Sequence, residues 1–318
     1  MFSVVIPLYN KAHTITRTLG TVLSQKYKDF EVVVVNDGST DNGLEVIRNF
    51  TQDPRLRIIE QENQGVSAAR NKGVASAKHE YIAFLDGDDE WKPDYLLKLS
   101  EAITKYPKAG MFCCAGTVRN ADGSQVYRIA EKYKDQILEI DFFENPHVFL
   151  HTSAVIARKT DFEKAGGFPV GMVRNEDYAF FFTLALITPV VYCGFPLSVY
   201  VGGVPGQATS TPPSKVLHHI INRFNTVQDN FVKLGCKNRT YNVFNKYEVR
   251  HNVIISLREN NYESLNSFLT GLHPTILNMF SPVELKLYQT KSLRKISIAL
   301  ILLTKLRWRM RGYPRIAY

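Results

Sequence analysis

Cysteine is scarce and unpatterned. Cys113, Cys114, Cys193 and Cys236 show no Cys-x-x-Cys spacing, which excludes a zinc ribbon and a disulfide framework and leaves them as small core hydrophobes in a reducing compartment. No apolar run reaches the roughly 20 residues that cross a bilayer. Met1 leads directly into Phe2-Ser3-Val4-Val5-Ile6, with no basic leader or cleavage site, so no signal peptide is expected. Without secretion, the glycosylation sequons at Asn49 and Asn238 carry no meaning. No Gly-x-Gly-x-x-Gly follows the first apolar run, which excludes a dinucleotide-dependent dehydrogenase. Pro7-Leu8-Tyr9-Asn10-Lys11 stands where a nucleotidyltransferase would carry a Gly/Arg/Lys-rich phosphate loop. Internal repeats and low-complexity tracts are absent too.

Acidic residues are missing from one region only. Nine of the 39 Lys and Arg residues fall in 285–318 with no Asp or Glu beside them, so residues 1–284 hold 30 basic groups against all 30 acids. The net charge of +9 therefore belongs to the tail. A nucleic-acid binder would carry it on a folded face, so no nucleic-acid partner is expected.

What is present begins with a βαβαβαβ pattern over the first 95 residues. Apolar runs at 4–6, 31–35, 56–59 and 81–85 alternate with helical stretches near 13–26, 41–52 and 65–78. That order implies an α/β fold with a mostly parallel, Rossmann-like sheet flanked by helices, in which ligands bind at the carboxyl ends of the strands. Candidate strands follow at 110–118, 125–130, 150–157 and 190–200. The stretch 202–214 reads as a connector or active-site loop, and 215–234, 241–260, 262–271 and 291–310 read as helices. These boundaries give a domain at 1–214, split into halves at 95/96, and a helical region at 215–318.

Each early strand ends in polar chemistry: Tyr9-Asn10, Asn36-Asp37-Gly38-Ser39, Asn63-Gln64-Gly65 and Asp86-Gly87-Asp88-Asp89. The last of these concentrates three carboxylates at the mouth of a buried strand, which is costly unless a positive charge sits there. A hard divalent cation shared with substrate phosphates suits such a site. Tyr9 offers a ring to stack on a base, and Asp37 an acceptor for a nucleobase N–H. Arg70 lies one or two turns into the third helix, within reach of a ligand or of the acidic tetrad. Glu176-Asp177 follows the glycine-rich Gly166-Gly167-Phe168-Pro169 and leads into an apolar helix at 178–186.

Four of these segments occur in an order and spacing that resemble family 2 glycosyltransferases of the GT-A fold: Ser3–Asn10, Val35–Asp41, Asn63–Asn71 and Asp86–Asp89. The likeness covers roughly residues 1–200. It implies an inverting enzyme that moves a single sugar from a nucleotide-sugar, a UDP-sugar, to a glycan or lipid-linked glycan acceptor in surface polysaccharide assembly. By the same likeness Pro7 and Tyr9 border the nucleobase pocket and Asp37 meets the base. Arg70 lies near the diphosphate. Asp86 and Gly87 lie along the donor, Asp88 holds Mn²⁺ or Mg²⁺, and Asp89 faces the sugar or acceptor. Asp177 becomes the base and Glu176 its support. His147 and His151 lie in a segment that can border the acceptor side.

There are departures. The family's helix after the acidic pair carries an Arg about six residues beyond the base, where this chain has Thr183. Thr304-Lys305-Leu306-Arg307-Trp308 lacks the Gln of the processive Gln-x-x-Arg-Trp motif, which implies one sugar per encounter. The 291–311 segment, with Trp308 at its edge, suits an interfacial helix on anionic lipid or a packed helix with a basic solvent face. Residues 215–318 shape the acceptor site, form a homo-oligomer or dock on a membrane, and the sequence does not choose. The expected location is cytoplasmic, peripheral on the inner membrane face if the tail binds lipid. A non-catalytic scaffold and a nucleotidyltransferase remain the alternatives.

Overall fold

The computed structural model describes residues 1–144, 146–204 and 217–310. The chain divides into two compact units, Met1–Ile140 with His147–Ser210, and Asp141–Pro146 with Thr211–Tyr318.

The first unit is built on one sheet of ten strands: β1 (Phe2–Leu8), β2 (Phe30–Asp37), β3 (Leu56–Gln61), β4 (Tyr81–Phe84), β5 (Glu90–Trp91), β6 (Met111–Arg119), β7 (Gln125–Arg128), β8 (Ile137–Ile140), β9 (Val155–Arg158) and β10 (Val190–Val201). Their order is β3-β2-β1-β4-β9-β6-β10-β5, with β7 beside β6 and β8 beside β10. β1 to β4 pair in parallel. Val32 to Val35 of β2 are buried on both faces, as a continuous apolar run in a parallel strand demands. The sheet turns mixed beyond β4, because β9 runs antiparallel to both β4 and β6. The stretch 150–157 is a strand only from Val155; Thr152–Ala154 form a 3₁₀ turn. β5 escapes sequence reading because a strand of two residues carries too little alternation, and β8 is not expected from the sequence either. The helices Tyr95–Lys105, Lys159–Ala165 and Pro282–Gln289 were likewise not anticipated.

The helix Val66–Ser76 lies on β1 and β2 at a spacing that only glycine permits. A Cβ on Gly73 would stand 2.4 Å from Val5 Cγ1 and 3.3 Å from Val35 Cγ2. One turn earlier the same helix carries Arg70, so this close approach fixes the height of its guanidinium over the strand ends.

The second unit is helical: Leu217–Lys233, Arg239–Arg258, Tyr262–Gly271, Pro274–Leu277, Pro282–Gln289 and Arg294–Met310. Asn238, Asn261 and Ser281 cap three of these by accepting from backbone N–H groups. Phe224, Val253, Leu257, Leu265, Phe268 and Ile301 meet in its core. Trp308, which the sequence sets at the edge of either an interfacial or a packed helix, faces its own unit. It is buried, its ring 4.8 Å from that of Tyr247. Residues 215–216, Arg311, Arg315 and most of the 202–214 connector lie outside the described residues.

In an ordinary exposed helix, Gly→Ala stabilises by up to about 1 kcal/mol. Gly73→Ala should instead destabilise the protein by about 1–3 kcal/mol, because β-branched Val5 has no room to retreat. Chemical denaturation of the variant reads the sign directly.

Candidate active site

The site forms where the loops after β1, β2, β3 and β4 meet. Asn10, at φ 52, turns its side chain back so that Oδ1 accepts from the Thr40 and Asp41 backbone N–H groups at 2.8 and 3.3 Å. Asp41 in turn accepts from the N–H groups of Ala12 and Gly43, which opens the second helix. Asp37 is buried at the end of β2. Its Oδ1 accepts from Gln61 and the Gln64 N–H, and its Oδ2 from the Gly65 N–H at 2.8 Å, so it organises the loop after β3. One acceptor position on Oδ2 is left over. Tyr9 is 46% exposed on the same edge, while Pro7 stays in the β1 ladder.

The Asp86–Asp89 loop is held from two sides. On one, Thr14 and Thr18 donate to the carbonyls of Gly87 and Asp89, each at 2.8 Å. On the other, Ser153 Oγ accepts from the Asp86 N–H and donates to Asp89 Oδ2 at 2.6 Å. Gly87 eases the close approach of this loop to β1, since a Cβ there would lie 3.2 Å from the Pro7 carbonyl oxygen, a tight contact.

The three carboxylates have different partners. Asp86 accepts a 2.6 Å ion pair from Arg70. Asp88 accepts one of 2.7 Å from Lys11. Burial first, then the charges of Asp89 and Asp86, push the Asp88 carboxyl above its usual range, and Lys11 offsets this only in part. Asp89 departs from expectation. It is 1% exposed and held by Ser153, the Val201 N–H and His151 Nε2 at 3.1 Å, so it faces the protein. Burial pulls the His151 imidazole down, but Asp89 and Asp86 outweigh it and the net shift is upward. His147 is a core residue against the rings of Tyr178 and Phe182.

Arg70 joins the two halves of the site. Its guanidinium is 4% exposed, lies 5.0 Å from the centre of the Phe168 ring, and pairs with Asp86 and with Glu176 Oε1 at 3.0 Å. Asn71, its neighbour, donates to the Phe168 carbonyl and accepts from the Phe168 N–H, which ties this helix to the Gly166-Gly167 turn. Beneath lies a cluster of Phe84, Phe162, Phe168, Phe180 and Phe181. It seats the helix Glu176–Ile187, whose first turn, not the approach to it, carries the acidic pair. A helix N-terminus favours negative charge. Glu176 is buried, and burial plus neighbouring Asp177 raise it to about 7 despite Arg70. Asp177 is more open; Thr152 donates to its Oδ2 at 3.3 Å. Thr183 is buried, its hydroxyl donating to the Ala179 carbonyl.

Lys11 is the functional candidate that sequence reasoning missed. The signal was there: a lysine directly after the β1 end, facing a loop with excess negative charge. Among the described residues no group of three His, Cys, Asp or Glu side chains is arranged to enclose a metal. Asp88 is one under-compensated carboxylate, which fits a cation completing its shell from substrate phosphates and water.

The family model for glycosyl transferase family 2 matches residues 3–165. The chain belongs to that family. Among its relatives, glycosyltransferase GlyA of Streptococcus pneumoniae is 42% identical over 105 residues, 33% of this chain and 15% of that protein. An uncharacterized glycosyltransferase of Nostoc sp. is 33% identical over 185 residues, 56% of each. The match thus spans little more than half of the second relative and far less of the first. The crystal structure of S. aureus TarS 1-349 in complex with UDP-GlcNAc aligns with a TM-score of 0.71 at 17% identity, covering 99% of this chain and 93% of that one. The family 2 chain therefore shares the GT-A fold that its motifs implied.

The raised Glu176 has a pH consequence with a definite sign. From about 4.5 to about 7 the native state holds a proton that the unfolded chain has released, so this group stabilises the fold at low pH and the contribution is lost as pH rises through 7. Glu176→Gln keeps the neutral form at every pH. Its stability relative to wild type should climb across that window in thermal or denaturant unfolding; a constant difference would place Glu176 at an ordinary pKa.

Proposed function

We propose that this family 2 protein is an inverting glycosyltransferase that moves one sugar from a UDP-sugar to a hydroxyl of a glycan or lipid-linked glycan, in the assembly of a surface polysaccharide. The observation that carries the reading is the double ion pair of Arg70, which puts the Asp86–Asp88 loop and the Glu176–Asp177 pair on opposite ends of a single guanidinium. A donor-side acid and an acceptor-side acid are thereby held within one side chain's length. UDP as the nucleotide is supported by the fold shared with TarS, whose crystal structure contains UDP-GlcNAc.

In this reading Tyr9 offers its exposed ring to the base, and Asp37 its remaining acceptor position to the N–H edge. Pro7 and Gly87 let the donor lie close along β1. Asp86, steered by Arg70, meets the ribose or the sugar. Lys11 neutralises Asp88 before the donor arrives and then stands beside the diphosphate. A divalent cation, Mn²⁺ or Mg²⁺, held by Asp88 would neutralise charge on the departing nucleoside diphosphate.

The acceptor hydroxyl attacks the anomeric carbon from the face opposite the leaving group. Its proton passes to the Asp177 carboxylate, the new C–O bond forms, and the electron pair of the old bond leaves with UDP. Glu176 is tied to Arg70 and is the poorer candidate for this transfer; it positions Asp177 and contacts the acceptor. His151, backed by Asp89, lies on the acceptor side. The missing Gln ahead of Arg307-Trp308 supports a single addition per encounter.

Asp177→Asn should lower transfer from a UDP-sugar to acceptor by on the order of 10²–10⁴-fold while leaving UDP binding intact. Product formation and UDP titration on the same preparation separate the two. Undiminished transfer would remove Asp177 as the base.

A further inference from the structure

The C-terminal helix Arg294–Met310 packs on its own unit through Ser297, Ile301 and Trp308. At 3.6 residues per turn, Ile296, Ala299, Leu302, Leu303, Leu306 and Met310 share the opposite side. Ile296, Leu303, Leu306 and Met310 are 56, 58, 52 and 78% exposed. The helix is thus apolar on two sides: Ile301 and Trp308 face inward beside Ser297, while Leu302, Leu303 and Leu306 face out. The other exposed side chains of this helix are all basic. Arg307 and Arg309 stand at its two margins and Lys295 at its first turn, and no acid occurs anywhere in 285–318. No helix among the described residues is long and apolar enough to cross a membrane.

We propose that this face is a membrane-docking surface whose partner is an anionic lipid bilayer, the stripe lying among the acyl chains and the three basic groups on the headgroups. Apolar residues flanked by cations, without a single carboxylate, match that interface in both hydrophobicity and charge. A second copy of the chain fits worse. Pairing two such faces would bring basic groups together with no acid on either helix to meet them. Lys295, Arg307 and Arg309 have stems long enough to place their charges at headgroup level while the leucines sit deeper. The surface extends the proposed function by bringing the protein to where a lipid-linked acceptor resides, but binding to lipid can be read without any acceptor.

The test is co-sedimentation of the full chain with vesicles of phosphatidylcholine alone and with vesicles that also contain phosphatidylglycerol. Wild type should pellet with the anionic vesicles only. Leu303→Glu with Leu306→Glu should abolish binding, and Arg307→Ser with Arg309→Ser should weaken it on the order of tenfold or more. Thermal unfolding and UDP titration of the same variants should match wild type. Failure of wild type to pellet, or equal pelleting of the Leu303→Glu/Leu306→Glu variant, overturns the proposal. So does a dimer in sedimentation velocity that this variant dissolves in the absence of lipid binding. Loss of UDP binding by wild type would count against the donor site and leave the docking face standing.

Discussion

A buried guanidinium organises the site. Arg70 is withdrawn from water, and desolvating a charge costs several kcal/mol unless partners compensate. Here Asp86, from the loop after β4, and Glu176, from the first turn of a helix far away in sequence, provide that compensation, and Phe168 lies against the flat face. The arrangement is mutual. Without Arg70, Asp86 and Glu176 would lose the cation they share, leaving only Lys11 on Asp88, and breaking such a buried pair typically costs about 3–5 kcal/mol. The positive charge of Arg70 therefore helps Asp86 and Glu176 to lie close together.

Most of the surrounding structure can be understood as holding that guanidinium still. Gly73 lowers its helix onto β1 and β2. Asn71 anchors the adjacent turn to Phe168, and the phenylalanine cluster seats the helix that begins at Glu176. Thr14, Thr18 and Ser153 clamp the acidic loop from both sides. In the same loop Asp88 stays under-compensated, with its carboxyl shifted upward even beside Lys11. That residual charge is where a cation shared with a diphosphate would be most strongly favoured.

The parallel half of the fold was legible because its strands are apolar and separated by helical stretches, and each ends in a recognisable polar turn. Asp86, Asp88, Glu176 and Asp177 lie just past a strand end or in the first turn of a helix, and Arg70 reaches Asp86 and Glu176 from the second turn of its own helix. The rest was not legible. β9 enters antiparallel through four residues whose pattern does not specify direction. Asp89 reads like its neighbours in sequence, yet a hydrogen bond from Val201 and another from Ser153, both remote in the chain, turn it inward. Lys11 is an ordinary lysine until tertiary structure places its amine on Asp88. Trp308 resembles an interfacial anchor, whereas packing against Tyr247 puts the leucines outside instead. Each of these depends on long-range packing, which local periodicity does not carry.

The central claim is that Asp88 and the strand-end loops around it form a cation-dependent nucleoside-diphosphate site. Calorimetric titration of UDP into the full chain, with and without Mn²⁺, beside Asp88→Asn tests it most directly. The account predicts UDP binding that requires the cation and is lost in Asp88→Asn at unchanged thermal stability. Binding that is indifferent to Mn²⁺ and to the substitution, or no binding by wild type, would contradict it.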